Sequence, residues 1–185
     1  MKPLTADAAL AEIGDREAIR DCLYRYCRAI DRRDAELLAG VYWPGAMDHH
    51  GVFDAPAEQF VPEVMAALAA MDQTMHMLGN VLIRIEGNLA AVESQFHAYH
   101  RIPPGNGPGE DVEVEDVHLG GRYLDRMEKR GGEWRIAERT VAYDWYSRSA
   151  SAPWPAGAFG LSFAPNLAPS DPSCPLFAAL GRGST

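Results

Sequence analysis

After Asp72 the spacing of apolar residues changes. Before it they recur every three to four positions, as on one face of a helix; after it they recur every second position, as on one face of a strand. The two-residue pattern runs through 76–86, 90–102, 117–128 and 134–146. Gly87-Asn88 and Gly131-Gly132 read as tight turns between neighbouring stretches, and Pro103-Pro104-Gly105-Asn106-Gly107-Pro108-Gly109 reads as a loop. Four successive strands joined this way form an antiparallel meander, with no room for the helical crossovers of a parallel sheet.

The residues before Asp72 supply the helices. Ile19, Leu23 and Cys27 repeat at i, i+4 within a helix expected over 8–31, with Cys22, Tyr26 and Ile30 beside them. Asp34 is positioned to cap a short helix over 35–42 that stops at Pro44-Gly45, and Pro56 opens a third over 57–72 with Phe60, Val64, Leu68 and Met71 on one face. Segment 46–54 reads as a short strand or hairpin arm. The expected fold is α+β: a cone-shaped, curved antiparallel sheet with N-terminal helices packed over its concave face, enclosing one pocket. Val81, Ile83 and Ile85, alternating with Leu82 and Arg84, are read as an apolar outer face, which predicts a homodimer or homotrimer.

Two segments are expected: a cone domain over 1–148 and a Pro/Gly-rich extension over 149–185. The extension is poor in charge yet carries Trp154, Phe159, Leu161, Phe163, Leu176 and Phe177, so it is expected to lie on the domain or on a neighbouring subunit.

Charge narrows the partners. With 17 Lys and Arg against 26 Asp and Glu the net charge is −9, and 110–116 is a local acidic run. Nucleic-acid and anionic-membrane binding both need a basic face, so neither is expected and a small-molecule substrate is. The start of the chain shows no apolar signal region, and the longest apolar helical run, 64–71, is far short of a membrane span. Three cysteines, with Cys22 and Cys27 pointing apart on one helix, read as reduced thiols of a cytoplasmic protein.

Asp31 occupies the next slot of the row Ile19, Leu23, Cys27, placing a carboxylate at the end of a line of core-facing side chains. An isolated helix-end aspartate is more often solvated; if this row stays buried, Asp31 needs a partner. His76 opens the first long strand among apolar neighbours. A backbone carbonyl satisfies many such histidines, whereas an Asp–His pair is the usual construction of a general base. His97 and His100 have opposite strand parity, so only one of them faces the pocket; His49 and His50 lie near its mouth, and one of the two is expected to line it. H-H and H-x-x-H spacings do not converge on a metal, and neither metal nor cofactor is expected.

The segments Tyr26-Cys27-Arg28-Ala29-Ile30-Asp31-Arg32-Arg33-Asp34, His76-Met77-Leu78-Gly79-Asn80, Gly121-Arg122-Tyr123-Leu124-Asp125-Arg126 and Gly132-Glu133-Trp134-Arg135-Ile136-Ala137-Glu138-Arg139, in this order, resemble the SnoaL-like branch of the nuclear transport factor 2-like superfamily over about 10–148. The resemblance implies a cofactor-free lyase whose Asp–His dyad falls on Asp31 and His76, with Tyr26 as a further catalytic residue. Arg139 matches an arginine of the same family and is expected to pair with Glu138 or Asp31, or to bind a substrate oxygen. Tyr42, Phe53, Phe96, Tyr143 and His100 are assigned to substrate binding. The expected reaction is a dehydration of a small oxygenated aromatic or polycyclic compound. The same parts fit isomerisation, dehydrohalogenation or retro-aldol cleavage, and the fold also serves non-catalytic ligand-binding or structural subunits.

Overall fold

The computed structural model describes residues 5–105, 114–151 and 167–179. Helix α1 (Ala6–Arg32) begins at Thr5, whose hydroxyl accepts from the Ala8 N–H, and ends where Arg33 turns into the left-handed region at φ 50°. That turn aims Asp34 at the next helix: its carboxylate accepts from the Leu37 N–H at 2.9 Å and caps α2 (Ala35–Gly40). The helix expected to reach 42 therefore stops earlier. Tyr42 already belongs to β1 (Tyr42–His50), because the Ile136 N–H donates to the Val41 carbonyl and Tyr42 stands in register with Ile136. Gly51 (φ 65°) and Val52 turn the chain into β2 (Phe53–Pro56), and α3 (Ala57–Ala69) follows, ending short of the expected 72.

Strands β3 (Gln73–Glu86), β4 (Leu89–Ile102), β5 (Glu115–Arg130) and β6 (Glu133–Ala150) form the meander, and the sheet order is β2-β1-β6-β5-β4-β3. Helices cover one face of this curved, unclosed six-stranded sheet, as an α+β cone requires. One pairing differs from the antiparallel expectation: β1 runs parallel to β6, because α3 carries the chain from one side of the sheet to the other before the meander starts. As a result β1 and β3 stand near opposite ends of the strand order, with the helices between them. Helix α1 packs on β3 and β6, and α3 on β1 and β2. Ile19, Leu23, Tyr26, Phe60, Met127, Trp134 and Ile136 are buried there, each such apolar side chain contributing about 1.5–3 kcal/mol.

The outer-face reading of Val81, Ile83 and Ile85 is corrected. The β3–β4 register shifts between Leu78 and Val81, and this bulge switches the strand's parity. His76 and Leu78 point inward before it, and Val81, Ile83 and Ile85 point inward after it, leaving Leu82 exposed. The outer face instead exposes Met75, Met77, Leu82 and Trp145.

Trp154, Phe159, Leu161, Phe163 and most of the acidic run lie outside the described residues. The described part of the extension, with α4 (Ser173–Ala179), is tied to the C-terminal end of α1. The Ala168 N–H donates to the Arg32 carbonyl at 2.9 Å, Arg32 pairs with Asp171 at 3.1 Å, and Arg28 donates to the Ser173 hydroxyl at 2.9 Å while standing over the Phe177 ring.

Candidate functional site

The row that begins at Ile19 stays inside: Ile19, Leu23 and Cys27 are buried, and Asp31 at its end keeps only 11% of its side chain exposed. A carboxylate in the last turn of a helix faces the negative end of the helix dipole, so it needs donors from elsewhere. The start of β3 supplies three. The His76 N–H donates to Asp31 Oδ2 at 2.8 Å, the Thr74 hydroxyl donates to Oδ1 at 3.1 Å, and His76 Nδ1 lies 2.8 Å from Oδ1. With Nδ1 committed to the carboxylate, the imidazole offers Nε2 to the cavity that His76 lines.

That cavity holds about 400 Å³ and its walls are mostly apolar. Of the residues expected around it, Tyr26, Phe53, Phe96, His76, His100 and Tyr143 line it, while Asp31 stands behind His76. Tyr26 is buried, and burial drives its phenol far above the ordinary value, so it meets a ligand as a hydrogen-bond donor. Phe96 stacks on Tyr123 with centroids 4.4 Å apart, and Tyr143 meets Phe96 edge-on. The ring of His100 lies 5.3 Å from that of His76. Burial, then the neighbouring His76, brings its pKa down to about 4, so it is a neutral ring at neutral pH. His97 takes the other parity and reaches the outer face, where its Nε2 lies 3.1 Å from His118 Nδ1.

Two expected ligand contacts are corrected. Arg139 is fully buried and does not line the cavity. Its partner is neither Glu138 nor Asp31 but Asp125, held through Nε at 2.7 Å and Nη2 at 2.8 Å, and its guanidinium is sandwiched between Tyr26 and Tyr123 at 4.1 and 4.2 Å. Burial opposes the guanidinium charge, yet the Asp125 carboxylate outweighs it and holds Arg139 well above its ordinary pKa. Arg139 is thus a support beneath Tyr26. Tyr42 is likewise buried away from the cavity and donates to Asp48 Oδ2 at 2.5 Å.

The sequence reading did not assign Tyr123 or Asp48, and left open which of His49 and His50 lines the cavity. Tyr123 lies in one of the quoted segments, two residues before Asp125, and lines the cavity. His50 lines it too, stacked on Phe60, with the fully buried Asp48 behind it. Their D-x-H spacing on one strand face was the available signal. Among the described residues no group of three or more His, Cys, Asp or Glu side chains is arranged to hold a metal ion, and no helix is long and apolar enough to cross a membrane. Cys22, Cys27 and Cys174 are free, and burial pushes the thiols of Cys22 and Cys27 up to about 12.

Comparison with known proteins gives a family and a fold. The SnoaL-like domain model matches residues 11–140. Among solved structures, the hexachlorocyclohexane dehydrochlorinase LinA-type3 of Novosphingobium barchaimii superposes with a TM-score of 0.67 at 16% identity, covering 80% of this chain and 98% of that one. A protein of Novosphingobium aromaticivorans named after scytalone dehydratase superposes with a TM-score of 0.62 at 21% identity, covering 85% and 99%. The Kfla4162 protein of Kribbella flavida gives 0.64 at 17%, covering 74% and 95%. At these identities the likeness is one of fold. No curated protein matches the chain.

Proposed function

Because the chain belongs to the SnoaL-like domain family, we propose that it is a cofactor-independent lyase that dehydrates a small oxygenated aromatic or polycyclic substrate. His76 Nε2 takes a proton from carbon beside a carbonyl or phenol-conjugated centre. Asp31 holds the tautomer and compensates the imidazolium, and Tyr26 donates a hydrogen bond to the developing enolate oxygen. Loss of the neighbouring hydroxyl as water completes the reaction.

The observation that carries this reading is the double grip of Asp31 on His76, on backbone N–H and ring together, at the wall of an apolar cavity of about 400 Å³. A purely binding or structural subunit has no need of a carboxylate-oriented histidine there, so the dyad favours the enzyme. A second reading on the same parts, loss of hydrogen halide, is favoured by the structural likeness to a dehydrochlorinase. The enzyme acts in the cytoplasm as a homodimer or homotrimer, without nucleic-acid or membrane partners.

The test is a screen of hydroxylated aromatic, steroid-like and halogenated compounds with product mass as the readout. Loss of water supports dehydration and loss of hydrogen halide supports the second reading. Loss of formaldehyde assigns retro-aldol cleavage instead, and an unchanged mass with altered retention assigns isomerisation. Binding without turnover across the panel overturns the enzyme reading.

A further inference from the structure

His76 is not the cavity's only histidine backed by a carboxylate. His50, the last residue of β1, lines the same cavity, and its Nδ1 lies 3.4 Å from Oδ1 of Asp48. Asp48 has no exposed side-chain surface, and neither its Oδ1 nor His50 Nδ1 has a hydrogen-bond partner. The other carboxylate oxygen, Oδ2, accepts from the Tyr42 hydroxyl at 2.5 Å. The ring of His50 is stacked on Phe60 at 5.6 Å and flanked by Tyr123 and Tyr143, so its plane is set by packing.

Charge makes the arrangement specific. Asp48 stands in cross-strand register with Arg139, whose guanidinium is already taken bidentately by Asp125. Two buried carboxylates therefore lie near one buried guanidinium that pairs with Asp125, and a buried charge needs compensation. His50 is the neighbouring side chain placed to supply it by carrying a proton, with Nδ1 toward Asp48 and Nε2 left to the cavity. His76 and His50 come from β3 and β1, near opposite ends of the strand order, and both act electrostatically on His100 between them.

We propose that His50 is a second catalytic residue, the general acid that protonates the leaving oxygen, and that Asp48 is its positioning residue. The inference rests on the elimination reading above. In the step, His76 Nε2 takes the α-proton and the C–H electron pair becomes the new C=C bond. The β C–O bond breaks, and its oxygen takes the proton from His50 Nε2 and departs as water or an alcohol. His50 is left neutral and His76 charged, and solvent returns the proton between turnovers. The division of labour also narrows the substrate class to β-oxygenated carbonyl compounds whose hydroxyl is too poor a leaving group to depart as the anion.

The test uses the full-length protein and a series of 3-aryloxycyclohexanones, from 4-nitrophenoxy to unsubstituted phenoxy, with phenol release as the readout. General acid help matters most for the poorest leaving group. The wild type is expected to show kcat/KM nearly independent of the aryl substituent. His50→Asn is expected to lose about 100-fold on the phenoxy compound and less than tenfold on the nitrophenoxy compound, within the range for a lost general acid. Asp48→Asn, which keeps an oxygen for Tyr42, is expected to show the same contrast at smaller amplitude. His76→Gln is expected to lose activity on both compounds alike. Equal losses across the series in His50→Asn, or in His50→Gln should the first variant fail to fold, overturn the acid assignment alone. Wild-type protein that releases phenol from no member of the series, or His76→Gln at wild-type rates, overturns the elimination reading beneath it.

Discussion

Asp31 binds His76 through both carboxylate oxygens at once: Oδ2 accepts from the backbone N–H and Oδ1 meets the ring Nδ1, each at 2.8 Å. The contact joins the last turn of α1 to the beginning of β3, and Thr74, two residues before His76, adds a hydroxyl to the same Oδ1. One helix-end carboxylate thus sets both the strand position and the ring tautomer of the proposed base. A carboxamide in its place keeps an oxygen acceptor but loses the charge that compensates an imidazolium.

Asp31 and His76 are expected to act as a unit, so their losses should not add. On a turned-over substrate, His76→Ala should lower kcat by about 10²–10⁴, the range for a general base. Asp31→Asn should cost a comparable factor, and the double variant little more. Ligand affinity measured by calorimetry should survive, because the apolar walls supply most of the contact. Near-normal kcat in His76→Ala would move the chemistry to another residue.

Arg139 carries a stability prediction in place of the ligand role expected of it. Arg139→Met leaves the Asp125 carboxylate buried without its partner and should cost about 3–5 kcal/mol in denaturant unfolding. Arg139→Met with Asp125→Leu removes both charges together and should recover much of that loss. Equal unfolding midpoints for single and double variants would show that the pair is not coupled.

Local periodicity was enough to read the helices, the meander and the row that ends in Asp31, because each is written within a few neighbouring residues. Two bulges that matter for the site and the core were not legible. Counting outward from Gly131-Gly132 sets Asp125 opposite Glu138, but the register shift between Arg126 and Met127 moves its partner to Arg139. The bulge between Leu78 and Val81 moved three apolar residues from the expected outer face to the core. A bulge adds one residue to one strand and reverses every side chain beyond it, with little local mark besides residues such as Gly79-Asn80. The Asp48–His50 pair was hidden differently. Its strand starts inside a stretch that reads as helix, and it pairs in parallel with β6, about ninety residues further on, through contacts that no local pattern records.

Assembly is expected to use the outer face that the β3 bulge leaves in place. Met77, Leu82 and Trp145 are 49%, 71% and 49% exposed on neighbouring parts of the meander, more apolar surface than an isolated sheet face keeps comfortably in water. Light scattering at micromolar concentration should give two or three times the chain mass. Met77→Glu with Trp145→Lys should shift it toward the monomer. A wild-type species of single-chain mass would contradict the homo-oligomer.

His100 should make the protein weaker in mild acid. The folded chain holds its imidazole at about 4, through burial first and then the nearby His76, against 6.5 for the free side chain. Above pH 6.5 the ring is neutral in both states and adds nothing to the pH dependence. As pH falls below 6.5 the unfolded chain takes up a proton that the folded chain refuses, so stability declines until about pH 4, where the folded ring is protonated too. Integrated over that window the loss approaches about 3 kcal/mol. Carboxylates titrate in part of the same range, so the useful quantity is the difference between wild type and His100→Gln. The variant lacks the titrating ring and should be the less stable protein at pH 7.5, with its deficit shrinking by about 2 kcal/mol by pH 4.5. Urea unfolding at half-unit pH steps measures both curves. Curves that stay parallel from pH 7.5 to pH 4.5 would mean that His100 binds its proton equally well in both states, and that the ring beside His76 is not held neutral by the fold.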